Sequence, residues 1–159
     1  MGHLAVKDVY HQVGDKLNEL EMRAPMDLYL YDILKEIFTS REAEIFCKMP
    51  FSLSTAERIS QITKIEKKEL EKILKEMSSK GLVMDLFANG ENQYSPSPMV
   101  IGIFEFSMMR TGKDVNSKLL AKLFHHYLQN DAFFAANYKN GEKISPLRAI
   151  PYEDAISNG

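Results

Sequence analysis

The sequence predicts a mainly α-helical protein built around a winged helix-turn-helix with a small β-hairpin wing, flanked by N-terminal and C-terminal helices. Three observations in residues 54–98 predict this fold class. Two helical patterns are joined by a tight connection, Gly81 follows the second pattern, and Asn89 and Gly90 separate two strand-like runs. Asn-Gly between such runs is a strong hairpin signal. The order helix, turn, helix, hairpin indicates a winged helix.

The first predicted helix spans residues 5–22. Its apolar residues recur at helical spacing and its charged residues fill the other face. The apolar set is Val6, Val9, Tyr10, Val13, Leu17 and Leu20. A leading helix of this kind packs on the core of its own chain or on a second module or copy, and we favour the chain's own core.

Two further helices precede the central motif. Asp27 is the predicted N-cap of a helix over residues 28–38. Thr39 and Glu42 have the spacing of a capping box, so a third helix begins after Thr39. Pro50 ends that helix because its ring is incompatible with a helix interior.

The helix-turn-helix is predicted from a second capping pattern and two apolar stripes. Ser54 and Glu57 repeat the capping-box spacing and open a fourth helix, and a fifth helix runs over residues 66–79. Gly81 then ends the fifth helix in a left-handed conformation. The predicted buried residues are Ala56, Ile59 and Ile62 on the fourth helix, and Leu70, Ile73, Leu74 and Met77 on the fifth.

The predicted wing is a hairpin of residues 82–87 and 93–95, followed by Pro96 and Pro98. Residues 99–109 are almost entirely apolar and begin after Pro98, which predicts a buried helix. Asp114 or Asn116 is expected to cap the next helix. The predicted organisation is residues 1–25 as an N-terminal helix, 26–98 as the winged-helix domain and 99–159 as a C-terminal helical extension.

Composition narrows the classes of function. The 159 residues carry a net charge of −2, which argues against a strongly basic nucleic-acid binder. Cys47 is the only cysteine, so no disulfide can form within the chain and one chain cannot build a cysteine-based metal site. The N-terminus lacks an apolar signal core, and the apolar run after Pro98 is too short to span a bilayer. We therefore expect a soluble, cytoplasmic protein without membrane association.

The candidate nucleic-acid contacts lie on the predicted fifth helix. They are Lys67, Lys68, Lys72 and Lys75. Lysines at these positions can contact phosphates, but the helix carries almost as many glutamates and lacks Arg, Asn and Gln for base contacts. The predicted wing has no Lys or Arg. A solvated helix with pairs such as Glu71–Lys75 and Glu76–Lys80 is the favoured interpretation.

The remaining candidate residues indicate structural roles. His125 and His126 are adjacent, so they point about 100° apart on a helix and do not form a two-ligand site; we expect one in the core and one in solvent. Cys47 lacks a nucleophile's partner pattern and is expected to be half-buried. Glu105 is expected to form an ion pair with Arg110 or Arg148. No catalytic motif is present, so we predict no enzyme, no catalytic residue and no metal ligand.

Several segments together resemble a known family. They are TSREAE at 39–44, IL at 73–74, KGL at 80–82, the strand at Tyr94, PMVIGIFEF at 98–106 and LRAIP at 147–151. This combination resembles the N-terminal winged-helix region of 4Fe-4S ferredoxin-type iron–sulfur proteins of anaerobic microbes. In that family the cysteine-rich, cluster-binding part follows a segment like residues 150–153.

The resemblance implies a function and a context. This chain lacks the cluster-binding cysteines and cannot hold a 4Fe-4S cluster, so no cofactor is expected in it. We expect an N-terminal fragment of a longer iron–sulfur protein, acting as a non-catalytic interaction or regulatory module. Its expected partner is another protein or a second copy bound through the apolar helices after Pro98. The alternative is a DNA-binding transcriptional regulator of the winged-helix type.

Overall fold

A computed structural model describes residues 8–20, 22–109, 116–139 and 142–143. The fold is mainly α-helical with a small antiparallel sheet that includes a hairpin wing, which confirms the predicted fold class. The helices are α1 (Val9–Asn18), α2 (Leu28–Ile37), α3 (Ser40–Lys48), α4 (Ala56–Thr63), α5 (Lys67–Ser79), α6 (Phe104–Met109), α7 (Ser117–Leu128) and α8 (Asp131–Ala136). The strands are β1 (Ser54–Thr55), β2 (Val83–Ala88), β3 (Glu91–Pro96), β4 (Tyr138–Lys139) and β5 (Glu142–Lys143).

The helix α1 packs on α2 and α3 and belongs to the core of the chain, as its amphipathic pattern predicted. Val13 and Leu17 are fully buried. The helix ends at Asn18, short of the predicted residue 22, and the predicted start at residue 5 lies outside the described residues.

The caps of α2 and α3 are those that the sequence predicted. The Asp27 side chain accepts a hydrogen bond from Leu30 N at 2.7 Å. Thr39 Oγ1 accepts from Glu42 N at 3.2 Å, and Glu42 Oε2 accepts from Thr39 N at 2.9 Å, which completes the capping box. These local bonds satisfy amides that have no partner inside the helix.

Two details of α4 differ from the prediction. Thr55, not Ser54, caps the helix and accepts from Arg58 N at 3.3 Å. Ser54 instead belongs to β1, where it lies opposite Tyr94. Ile62 is exposed and Thr63 is buried, so the buried face of α4 passes through Thr63 and not through Ile62. The buried Thr63 Oγ1 donates to Ile59 O at 2.8 Å.

The helix α5 and the wing follow the predicted order. Glu66 caps α5, and Gly81 follows the helix with a φ of +76°. Asn89 and Gly90 also have positive φ, as a two-residue hairpin turn of the primed type requires. The sheet order is β1-β3-β2, so β3 lies in the centre and β2 forms an edge.

The segment after the wing is not the continuous buried helix that was predicted. Residues Met99–Ile103 form an irregular π-type turn in which Val100 is extended and Ile101 has a φ of +65°. Gly102 and two β-branched residues disfavour helix here. The Glu105 carboxylate accepts a hydrogen bond from Gly102 N at 2.7 Å, just before the first turn of α6. Regular helix therefore begins only at Phe104. Four of the apolar side chains are exposed: Ile101, Phe106, Met108 and Met109.

The helix α7 packs on α2 and joins the same core. Asn116 is its N-cap, whereas Asp114 lies outside the described residues. Tyr127 Oη donates to Pro25 O at 3.2 Å, and Asn130 Nδ2 donates to Asp27 Oδ2 at 2.8 Å. None of the helices that the structure describes has the length and apolarity that a membrane crossing requires.

Candidate interaction surface of the winged helix

A groove between α5 and the wing lies beside the predicted site residues. Its volume is about 460 Å³. The helix contributes Lys67, Glu71, Lys75 and Ser78, α4 contributes Ala56, and the wing contributes Asp85, Glu91, Asn92 and Tyr94. Three carboxylates therefore face two ammonium groups, and the groove is not a basic channel for phosphates.

The structure divides the four predicted lysines between two surfaces. Lys67 and Lys75 line the groove, with Glu71 between them on the same helix face. Lys67 forms an ion pair with Glu57 of α4 at 3.5 Å. Lys68 and Lys72 are exposed and do not line the groove. Spacings of four and three residues place Lys68, Lys72 and Lys75 in one stripe along α5, and Lys75 lies where this stripe meets the groove.

The ion pairs around α5 differ from the two that were predicted. Lys80 pairs with Glu42 of α3, with Nζ at 2.7 Å and 2.9 Å from the two carboxylate oxygens, and not with Glu76. Among the described residues, no ion pair joins Glu71 to Lys75. Arg41 of α3 pairs with Glu69. Lys67, Glu69 and Lys80 therefore pair with neighbouring helices, which intrahelical spacing does not reveal.

The wing presents an apolar surface that the sequence pattern alone does not reveal. Side chains of β2 alternate between two faces. Asp85 faces α5, where it accepts a hydrogen bond from Ser78 Oγ. Met84 and Leu86 lie on the opposite face and are 44% and 52% exposed, and Phe87 near the tip is 71% exposed. We call Met84, Leu86 and Phe87 the apolar edge of the wing.

The only sequence signal for the apolar edge was the run VMDLFA of β2 itself. Its apolar residues were compatible with burial on either face. Val83 at the base of the strand is buried, whereas Met84 to Phe87 are exposed. Which of these side chains are exposed is therefore known only from the packed structure.

Cys47 lies against α1, where its Sγ is 3.9 Å from Val9 O. It is half-buried, and burial raises its pKa to about 11, although the nearby Lys16 ammonium acts in the opposite direction. Lys16 is itself buried, and its Nζ donates to Cys47 O at 3.0 Å and to Met49 O. This ammonium caps the C-terminal end of α3. Burial lowers the pKa of Lys16.

The two histidines and Glu105 have surface and capping roles. His125 and His126 are both exposed, so the prediction that one lies in the core is wrong. They lie on the outer side of α7 because Phe124 and Tyr127 occupy its buried side, and His126 stacks on Tyr29 with ring centroids 5.1 Å apart. The predicted partners of Glu105, Arg110 and Arg148, lie outside the described residues.

The described ranges contain no group of three or more His, Cys, Asp or Glu side chains arranged to hold a metal ion. Comparisons of the chain with protein-family models, with curated proteins and with solved structures return no match.

Proposed function

We propose that this protein is a non-catalytic winged-helix module that binds another protein through its wing. The apolar edge carries the proposal, because Met84, Leu86 and Phe87 expose apolar side chains where a nucleic-acid-binding wing needs positive charge. The groove beside this edge contains both signs of charge, which suits the polar rim of a protein interface.

A capture experiment tests the role of the apolar edge. Immobilised wild-type chain is compared with Leu86→Ser in an extract of the source cells, with bound proteins quantified by mass spectrometry. Ile62→Ser is the matched control, since Ile62 is also an exposed apolar residue but lies on α4. We expect proteins that the wild type and Ile62→Ser retain and Leu86→Ser loses. Identical sets on all three would contradict the proposal.

We further propose that the module acts within an iron–sulfur electron-transfer protein. The support is the resemblance of residues 39–44, 98–106 and 147–151 to the winged-helix region of 4Fe-4S ferredoxin-type proteins. Any cluster would be held by cysteines of a longer parent protein. Reading the gene beyond codon 159 tests this context. An open frame with Cys-x-x-Cys-x-x-Cys spacing is expected, and an immediate stop codon would refute it.

DNA binding is the second candidate, and the stripe of Lys68, Lys72 and Lys75 favours it. Titration of the chain into a labelled random-sequence duplex, followed by fluorescence anisotropy at low salt, separates the two functions. Under our proposal, binding is weak and changes little when the three lysines are replaced by glutamine. Tight binding that weakens steeply with salt and is lost in the triple variant would establish the alternative.

A further inference from the structure

The outer side of β2 is an unpaired strand edge. It pairs with β3 on one side, and no strand of the described chain pairs with its other side. Such an edge offers backbone N–H and C=O groups to another strand, and proteins usually protect it with lysine, proline or a bulge. Val83–Ala88 contains none of these, and its register with β3 is continuous.

The ladder between β2 and β3 determines which residues face this edge. Ser97 N donates to Leu82 O at 3.2 Å, so Leu82 and Ser97 are a hydrogen-bonded pair at the start of the ladder. Such pairs alternate with non-hydrogen-bonded pairs along an antiparallel ladder. In the observed register, Val83, Asp85 and Phe87 are therefore non-hydrogen-bonded with β3. Their N–H and C=O groups point toward the unpaired side.

We infer that this edge pairs antiparallel with the same edge of a second copy of the chain, with Leu86 opposite Leu86 of the second copy. The inference rests on the proposed protein-binding role of the wing and names its partner. A two-fold axis perpendicular to the sheet passes between the two Leu86 residues. It places the same side chains of both copies on the same face of the combined sheet. Asp85 then lies opposite Phe87 of the second copy. Both residues have outward backbone groups, so two hydrogen-bonded pairs form.

The neighbouring registers are less favourable. A shift toward the base of the wing brings Asp85 opposite Asp85 of the second copy, and like charges directly opposite are destabilising. That register would also need hydrogen bonds from the backbone of Val83, and Val83 is buried. A shift toward the tip would need Asn89 to pair as a strand residue, but Asn89 has a φ of +55° and belongs to the turn. Pairing at Leu86 avoids both problems.

This register also covers the exposed apolar side chains. On the face away from α5, Leu86 meets Leu86 of the second copy, and Met84 lies opposite Ala88 of the second copy. Cross-strand apolar pairs of this kind stabilise sheets. In this register the strand pairs with itself through its outward backbone groups, covers its apolar side chains and keeps the two Asp85 carboxylates apart. These features favour a second copy as the partner.

Sedimentation velocity on the full chain tests the assembly. We expect a species of twice the 18.2 kDa mass of one chain that dissociates on dilution. Leu86→Glu places two carboxylates opposite each other and is expected to give monomer, whereas Ile62→Glu is expected to leave the dimer intact. A wild-type chain that stays monomeric at the highest concentration reached would overturn the inference.

Disulfide cross-linking tests the register. In a Cys47→Ser background the chain has no other cysteine. Leu86→Cys is expected to form a dimer under mild oxidation, because opposing Cα atoms of a non-hydrogen-bonded pair lie about 4.5 Å apart, within disulfide range. Met84→Cys and Ala88→Cys are expected to link only when the two variants are mixed. Efficient linking of Met84→Cys to itself would overturn this register.

A proline substitution tests the backbone hydrogen bonds. Phe87→Pro removes an outward N–H without breaking the β2–β3 ladder, and Phe87→Ala removes the same side chain but keeps the N–H. Because two such bonds are lost in a symmetric dimer, we expect Phe87→Pro to dimerise roughly tenfold more weakly than Phe87→Ala. Equal dissociation constants would overturn edge pairing.

The two proposals fail separately. A monomeric wild type that still loses captured proteins on Leu86→Ser refutes the self-pairing and leaves the protein-binding wing standing. A dimer that captures no other protein supports self-pairing as the binding activity of the wing.

Discussion

Gly81 is the residue where two independent constraints coincide. Its φ of +76° is readily available only to glycine, and a Cβ at this position would overlap Phe106 Cβ. Phe106 therefore covers the backbone where α5 ends and the wing begins. The identity of this residue determines both the helix end and the docking of α6 against it.

Gly81→Ala is expected to lower the free energy of unfolding by about 2–4 kcal/mol, the sum of a left-handed alanine and a displaced aromatic side chain. Gly90→Ala is the control, because Gly90 also has a positive φ but nothing lies within 4 Å of the added Cβ. It is expected to cost about 1–2 kcal/mol. Urea denaturation measures both, and equal losses would argue against the Phe106 contact.

Cys47 provides a pH-dependent prediction. Burial raises its pKa from 9.0 to about 11, so at pH 8 the folded chain has roughly 100-fold less thiolate than the unfolded chain. Labelling with a thiol reagent is expected to be slower in the folded chain by a similar factor. The unfolded chain loses its proton first as pH rises, so this contribution to stability is present below pH 9 and declines toward pH 11. Equal labelling rates in buffer and in denaturant would contradict the burial.

At the scale of elements, Glu42 joins the start of α3 to the end of α5. Its buried carboxylate accepts from Thr39 N and from Lys80 Nζ. The N-terminal end of one helix and the C-terminal end of another are thereby held together by one side chain. This contact orients α5, and with it the wing that follows.

Glu42→Ala is expected to destabilise the fold by about 2–3 kcal/mol, because it removes the cap and leaves the Lys80 ammonium without its partner. Glu42→Gln keeps an oxygen for the Thr39 amide and loses only the charge, so about 1 kcal/mol is expected. Thermal unfolding of the two variants checks the order. A larger loss for Gln than for Ala would show that the cap is not the main contribution.

At the scale of the whole molecule, the N-terminal helix, the winged helix and α7 share one core. Residues of α1, α2 and α7 belong to the same buried cluster, and Tyr127 and Asn130 hydrogen-bond to the segment before α2. The described part of the extension after residue 99 is therefore packed against the winged helix. A shared core of this kind unfolds cooperatively.

Leu120→Ala is expected to destabilise the chain by about 2–4 kcal/mol, since Leu120 of α7 is fully buried. The unfolding curves followed by far-ultraviolet circular dichroism and by tyrosine fluorescence are expected to coincide before and after the change. The chain has no tryptophan, so tyrosine is the fluorescent probe. Two separate transitions would show that the extension folds independently.

Local chemistry explains which features were predictable. The caps at Asp27 and Thr39, the end of α5 at Gly81 and the hairpin at Asn89 depend on residues within a few positions of each other. The error at Ser54 has a long-range cause. Ser54 is drawn into β1 by pairing with Tyr94, which lies 40 residues later in the chain.

The sequence by itself determined the order and type of the main elements, because capping, turn chemistry and apolar periodicity act over short separations. Only the tertiary structure decided which residues pair with the charges of α5, and which apolar side chains of β2 stay exposed. These outcomes depend on which surfaces meet. The candidate site is a result of this packing, since the apolar edge exists only where packing leaves β2 uncovered.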